Sequence, residues 1–130
     1  MTDPVEFLDL EDLIGLAMQL LGDPPPVRDV GLLAAAVSRP QTTVGGHDAY
    51  PTLGAKAAAL LQSIVTNHAL VDGNKRLGWV ATAVFLEIND ASVATTPNDD
   101  VYELVMDVAS GRLELGGITA RLESFVRDCA

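Results

Sequence analysis

The stretch His68-Ala69-Leu70-Val71-Asp72-Gly73-Asn74-Lys75-Arg76 places an imidazole, a carboxylate, a glycine turn, an amide and two cations within nine residues. Apolar residues at Leu53, Ala57, Leu60, Leu61, Ile64 and Val65 precede it, and Leu77, Val80, Ala81, Val84, Phe85 and Ile88 follow it. Both sets have helical spacing. Asp72-Gly73-Asn74 is turn chemistry, because Gly and Asn tolerate positive φ. The stretch therefore predicts a helix, a tight loop and the N-terminus of a second helix. Lys75 and Arg76 fall in the first turn of that second helix, where the macrodipole is already positive and the first amides lack partners. An anion in the loop removes the conflict, since backbone N–H groups and both cations would face it, as in a phosphate site.

Each of these residues also has a plainer reading. His68 lies four residues after Ile64 and seven after Leu61, on the apolar face of its helix. A histidine so placed can simply be packed and hydrogen-bonded. Asp72 can be a turn residue, Gly73 a conformational necessity and Asn74 the cap of the second helix. Lys75 and Arg76 can be a solvated surface pair. The chain has 18 acidic and 8 basic residues, a net charge of −10, which makes two adjacent cations conspicuous. The same acidity argues against a nucleic-acid surface, which needs clustered Lys and Arg. It serves solubility, and it can help attract a basic partner.

The nine residues resemble the signature loop of the Fic/Doc family, H-x-F-x-[DE]-G-N-[GK]-R, with matches at His68, Asp72, Gly73, Asn74, Lys75 and Arg76. Leu70 stands where the family usually has Phe. Trp79 stands where the adenylyl-transferring Fic branch has a second Arg. Lys75 in place of the second glycine, with no second Arg, is similar to the Doc branch of death-on-curing toxins. Val27-Arg28-Asp29, Leu32-Leu33, Ala36, Arg39-Pro40-Gln41, Tyr50-Pro51 and Lys56-Ala57-Ala58 also fit Doc-like chains. The resemblance covers roughly residues 8 to 90 and is weak beyond them.

The resemblance implies a set of roles. His68 is expected to be the general base that activates a hydroxyl of a target protein; an imidazole titrates near neutral pH and suits that task. Asp72 is expected to ligate Mg²⁺, an ion commonly held by one carboxylate with nucleotide phosphates and waters. Gly73, Asn74, Lys75 and Arg76 are expected to bind the phosphates of ATP, with Arg76 also stabilising transferred charge. Lys75 and Trp79 together imply ATP bound with its γ-phosphate at His68, and hence phosphorylation of a threonine of elongation factor Tu. Adenylyl transfer is the variant chemistry, and a silent Fic-fold binding module is the alternative from another class. Trp79 can stack on the base or pack in the core. Self-inhibited Fic proteins carry S/T-x-x-x-E-[GN]; Ser110 to Leu115 and Thr119 to Ser124 end in Leu and Ser instead. Inhibition is therefore expected in trans, by a Phd-like antitoxin.

At 130 residues the chain is expected to be one domain, residues 1–130, all-α, with about six helices in a Fic-like bundle and a small β-hairpin flap. Asp9 is expected to cap a first helix over 9 to 21, stopped by Gly22 and Pro24-Pro25-Pro26. Asp29 caps a second, through Ser38, ended by Pro40. Residues 41 to 50 break the pattern, and Gly45-Gly46 suits a two-residue hairpin turn, with an irregular loop as the alternative. In the family this flap holds the target segment; His47 within it reads as an exposed loop histidine. Thr52 caps the third helix, and the fourth runs from Asn74 to Asn89, with Gly78 marking a close approach of another backbone. Residues 91 to 95 read as a connector with scope for extended structure. Thr96 is expected to cap a fifth helix with Pro97 at its first position, closed by Ser110-Gly111. Gly116-Gly117 is expected to precede the last helix.

Cys129 is the only cysteine, so no disulfide can form within the chain and no thiolate cluster can hold a metal. The first residues are acidic, and no apolar run approaches the roughly 20 residues that span a bilayer, so neither a signal peptide nor a membrane span is expected. The expected location is the cytoplasm.

Overall fold

A computed structural model describes residues 4–128; Cys129 lies outside them. Helix α1 (Leu10–Leu21) starts at a reciprocal capping box. Asp9 accepts from the Asp12 amide at 2.8 Å, and Asp12 accepts from the Asp9 amide at 3.0 Å. Gly22, at φ 106°, ends it. Helix α2 (Val30–Ser38) is capped by Asp29, which accepts from the Leu32 amide at 3.2 Å. Pro40 does not stop the chain abruptly: Arg39–Gln41 continue as one 3-10 turn with Pro40 buried.

The residues that break the helical pattern form a hairpin of β1 (Thr43–Val44) and β2 (His47–Asp48). Thr43 pairs with Asp48 and Val44 with His47. Gly45 and Gly46 take φ 59° and 81°, the left-handed pair that matches the twist of a two-residue hairpin. The hairpin is solvent-exposed, His47 included. Two cations fix its base to the next helix, α3 (Leu53–Asn67). Lys56, only 3% exposed, pairs with Asp48 at 3.0 Å and also donates to the Tyr50 carbonyl. Arg39 donates to the Tyr50 hydroxyl at 2.8 Å and to Gln62 at 2.8 Å.

Thr52 caps α3 through the Ala55 amide at 3.0 Å. Ala57 to Leu61, Ile64 and Val65 are all buried, so α3 runs through the core with other helices around it. Helix α4 (Asn74–Ile88) packs along it. A Cβ on Gly78 would lie 2.7 Å from the Val65 Cγ2 and 3.5 Å from Ile64 Cγ2 and Leu61 Cδ1. The close approach at Gly78 is thus to side chains of α3, not to another backbone. Strand β3 (Ala91–Ser92) pairs antiparallel with β4 (Arg127–Asp128), which ties the connector to the C-terminal segment.

Two expectations in the second half are corrected. Helix α5 (Asn98–Ala109) has Pro97 as its N-cap, in extended conformation, not Thr96. The Thr96 hydroxyl is buried and without a hydrogen-bond partner among the described residues, so it satisfies no amide. Helix α6 (Leu115–Phe125) begins after Glu114, so Gly116 and Gly117 lie inside its first turn. A Cβ on Gly117 would approach Leu113 Cδ2 to 3.1 Å, which gives that glycine a packing reason. The architecture is mostly helical, six α-helices among the described residues with two small antiparallel pairs. One apolar cluster joins Leu13, Leu33, Leu61, Leu70, Phe85, Leu104 and Leu122 across all six helices and the loop after α3. Among the described residues no helix is long and apolar enough to cross a membrane.

Candidate active site

The loop between α3 and α4 is held by main-chain bonds to the segment just before α2. The Arg28 and Asp29 amides donate to the Ala69 carbonyl at 2.8 and 3.0 Å, and the Val71 amide donates to Pro26 O at 2.8 Å. Val27 and Leu70 form an isolated antiparallel bridge. The Arg28 guanidinium donates to the carbonyl of His68. Ala69 and Leu70 are 2% and 1% exposed, so this apolar pair anchors the loop while the polar residues on either side stay accessible. Leu70 is thus a buried anchor of the loop.

His68 departs from the periodic expectation. It is the C-cap of α3, in the left-handed region at φ 55° and ψ 42°, and it is exposed. That conformation costs a non-glycine residue on the order of 1–2 kcal/mol, and it takes His68 off the buried face that Leu61 and Ile64 define. Asn74 departs too. The N-cap of α4 is Gly73, at φ 90°, with no side-chain cap bond. The Asn74 amide group instead clasps Leu70, accepting from its N–H at 3.0 Å and donating to its carbonyl at 3.0 Å. Its side chain thus shapes the loop, and its backbone N–H is the group left for a ligand.

Asp72 is exposed, and its Oδ1 accepts from the Gly73 amide at 2.9 Å. Gly73 is required twice over, by its positive φ and by Leu21 at the end of α1. A Cβ there would lie 2.7 Å from both Leu21 methyl carbons. The first bonded amide of α4 is that of Leu77, to Gly73 O at 2.9 Å, which leaves the N–H groups of Asn74, Lys75 and Arg76 without partners among the described residues. Neither Lys75 nor Arg76 has a hydrogen bond or ion pair among the described residues. The other six cations do: Arg28, Arg39, Lys56, Arg112, Arg121 and Arg127. No acid stands in the first turn of α4. Three free amides, two free cations and a helix dipole of the same sign converge there, so the site attracts anions.

His68, Asp72, Gly73, Asn74, Lys75 and Arg76 all line one cleft of about 950 Å³. Its far wall comes from α5, through Asn98, Tyr102, Val105 and Met106, with Thr96 just before it. Trp79 is half-buried, packs against the core and also lines the cleft. Sequence reading missed three contributors: Leu21 beneath Gly73, Arg28 on the His68 carbonyl, and the α5 wall. Only Arg28 had a signal, its place in Val27-Arg28-Asp29, and that carried no role.

Residues 7–86 match the model of the Fic/DOC family. The chain belongs to this family. It is also 50% identical, over 121 residues, to a protein named Toxin Doc from Mycolicibacterium smegmatis (strain ATCC 700084 / mc(2)155), covering 92% of this chain and 93% of that one. The family match ends within α4, but a similarity that covers 92% of the chain must continue into α5 and α6. The Doc-like character therefore extends beyond the residues 8 to 90 that carry the resemblance in the sequence. It includes α5, the helix that forms the other wall of the cleft.

Proposed function

We propose that this Fic/DOC protein is a Doc-like toxin that transfers the γ-phosphate of ATP to a Ser or Thr hydroxyl of a translation factor and arrests growth. By family resemblance the target is elongation factor Tu. The observation that carries this reading is the N-terminus of α4, where Lys75, Arg76 and three backbone amides stand unpartnered beside His68 in one cleft.

The residues fit a triphosphate. The free N–H groups of Asn74, Lys75 and Arg76 donate to phosphate oxygens, and the two side chains neutralise their charge. Asp72 keeps Oδ2 without a partner among the described residues and would hold Mg²⁺. No group of three His, Cys, Asp or Glu side chains gathers among the described residues, so the cation would depend on Asp72 and the nucleotide itself. When bound, Mg²⁺ supplies charge neutralisation between the phosphates. The imidazole of His68 takes the proton of the target hydroxyl as that oxygen bonds to the γ-phosphorus. The bond from the γ-phosphorus to the bridging oxygen breaks, and ADP leaves. Arg76 offsets the charge that spreads over the transferred group. In-line positioning and charge stabilisation are most of what such a reaction needs.

Lys75 adds a side chain and a charge where the adenylylating branch has glycine, and Trp79 supplies no second guanidinium. Both favour the γ-phosphate at His68. With ATP labelled on the α- or the γ-phosphate and a cell extract as target, the label is expected on protein only from the γ position, with ADP released. Label from the α position, with pyrophosphate released, assigns the protein to adenylyl transfer instead. No label from either position, with no growth arrest on expression, leaves a silent binding module. Control is expected in trans in the cytoplasm, by a Phd-like antitoxin segment that folds on binding into a groove between helices.

A further inference from the structure

The left-handed turn at His68 needs something to hold it. Such a conformation persists in a non-glycine residue only where its surroundings over-determine it. Around this loop most of the restraint is main-chain: the Ala69 carbonyl accepts two amides, at 2.8 and 3.0 Å, and Val71 donates to Pro26. Those bonds use no side-chain atom. The carbonyl of His68 itself is different, because its partner is a side chain, the guanidinium of Arg28. That residue is 40 positions away in sequence, in the short segment that runs along the loop before α2. Arg28 is exposed and is not among the residues lining the cleft. It has no direct route to the nucleotide and a direct route to the backbone of the proposed base.

Resting on the reading of His68 as that base, we propose that Arg28 is a positioning residue: its hydrogen bond to the His68 carbonyl fixes the left-handed turn that carries the imidazole off the buried face of α3 and into the cleft. The guanidinium suits the task because its planar fork loses little freedom on bonding. A bond from a charged donor is also about twice as strong as a neutral one. Losing it leaves the phosphate-binding end of α4 intact, since Asn74, Lys75 and Arg76 are held by their own helix and by the clasp on Leu70.

The test uses the full chain with Arg28→Gln and Arg28→Lys, measuring ATP affinity, transfer turnover at saturating ATP and the imidazole resonances of the two histidines. His47, in the exposed hairpin, is the internal reference. Arg28→Gln is expected to keep nucleotide affinity and lose turnover on the order of tenfold to hundredfold, as small misplacements of a reacting group do. Its His68 resonances shift while those of His47 stay. Arg28→Lys, which keeps a charged donor, restores most of the turnover. Wild-type turnover with unmoved His68 resonances in Arg28→Gln overturns the proposal. So does an equal loss of nucleotide affinity and turnover in both variants, which marks Arg28 as a general support of the fold. If the wild-type protein transfers nothing, the functional reading fails and the resonances decide alone: His68 moving in Arg28→Gln upholds the positioning role, and His68 unmoved ends it.

Discussion

The N-termini of α4 and α5 line the same cleft, and neither has a side-chain cap bond. They differ in charge. Helix α5 carries Asp99 and Asp100 in its first turn, the sign its dipole favours. Helix α4 carries Lys75 and Arg76 there, the opposite sign, and no acid at all. One end is matched to its dipole within the fold, and the other is left with an excess of positive charge. An uncapped helix end is therefore not in itself a binding site. The first-turn charges distinguish an end matched to its own dipole from one that opposes it.

The largest effect should come from removing the proton acceptor while leaving the anion site alone. His68→Ala is expected to lower transfer by roughly 100- to 10,000-fold, with ATP binding retained in a calorimetric titration. Unchanged transfer by the purified variant would remove His68 from the mechanism. Next comes the cap of α4. Gly73→Ala meets both the positive φ and the Leu21 methyls 2.7 Å away, and should cost roughly 2 kcal/mol in denaturant unfolding. A neutral result would mean that the loop can take another shape. The smallest effect belongs to α5. Asp99→Asn with Asp100→Asn removes favourable dipole contacts and should cost about 1 kcal/mol. Stabilisation by that pair of changes would show that the acids of α5 are not matched to its dipole.

What the sequence made legible and what it did not follow the same division. Asp9, Asp29 and Thr52 announce their helices because each has a side-chain acceptor three residues before a free amide, a purely local arrangement. Gly45-Gly46 is readable for the same reason. The start of α5 is not, since Thr96-Pro97-Asn98-Asp99 offers several caps and only the tertiary fold turns the Thr96 hydroxyl inward. Gly116 and Gly117 read as breakers, but they fall inside α6, where Gly117 makes room for Leu113. In the loop, the motif gave the residue types and not the contacts that hold them. The left-handed turn at His68 interrupts the helical period on which its buried placement rested. Asn74 binds across the loop, a contact that spacing along one helix cannot reveal. Arg28 and Leu21 reach the loop from distant segments, so no local pattern announces what they do there.

The central claim is that the nucleotide's phosphates bind at the N-terminus of α4 and not at that of α5. A calorimetric titration of ATP with Mg²⁺ tests it on three proteins: the wild type, Arg76→Gln, and the Asp99→Asn, Asp100→Asn pair. Arg76→Gln should weaken binding on the order of tenfold to hundredfold, the value of a hydrogen bond to a charged group. The α5 pair should bind as the wild type does. Undiminished affinity in Arg76→Gln, or a clear change of affinity in the α5 pair alone, would contradict the account.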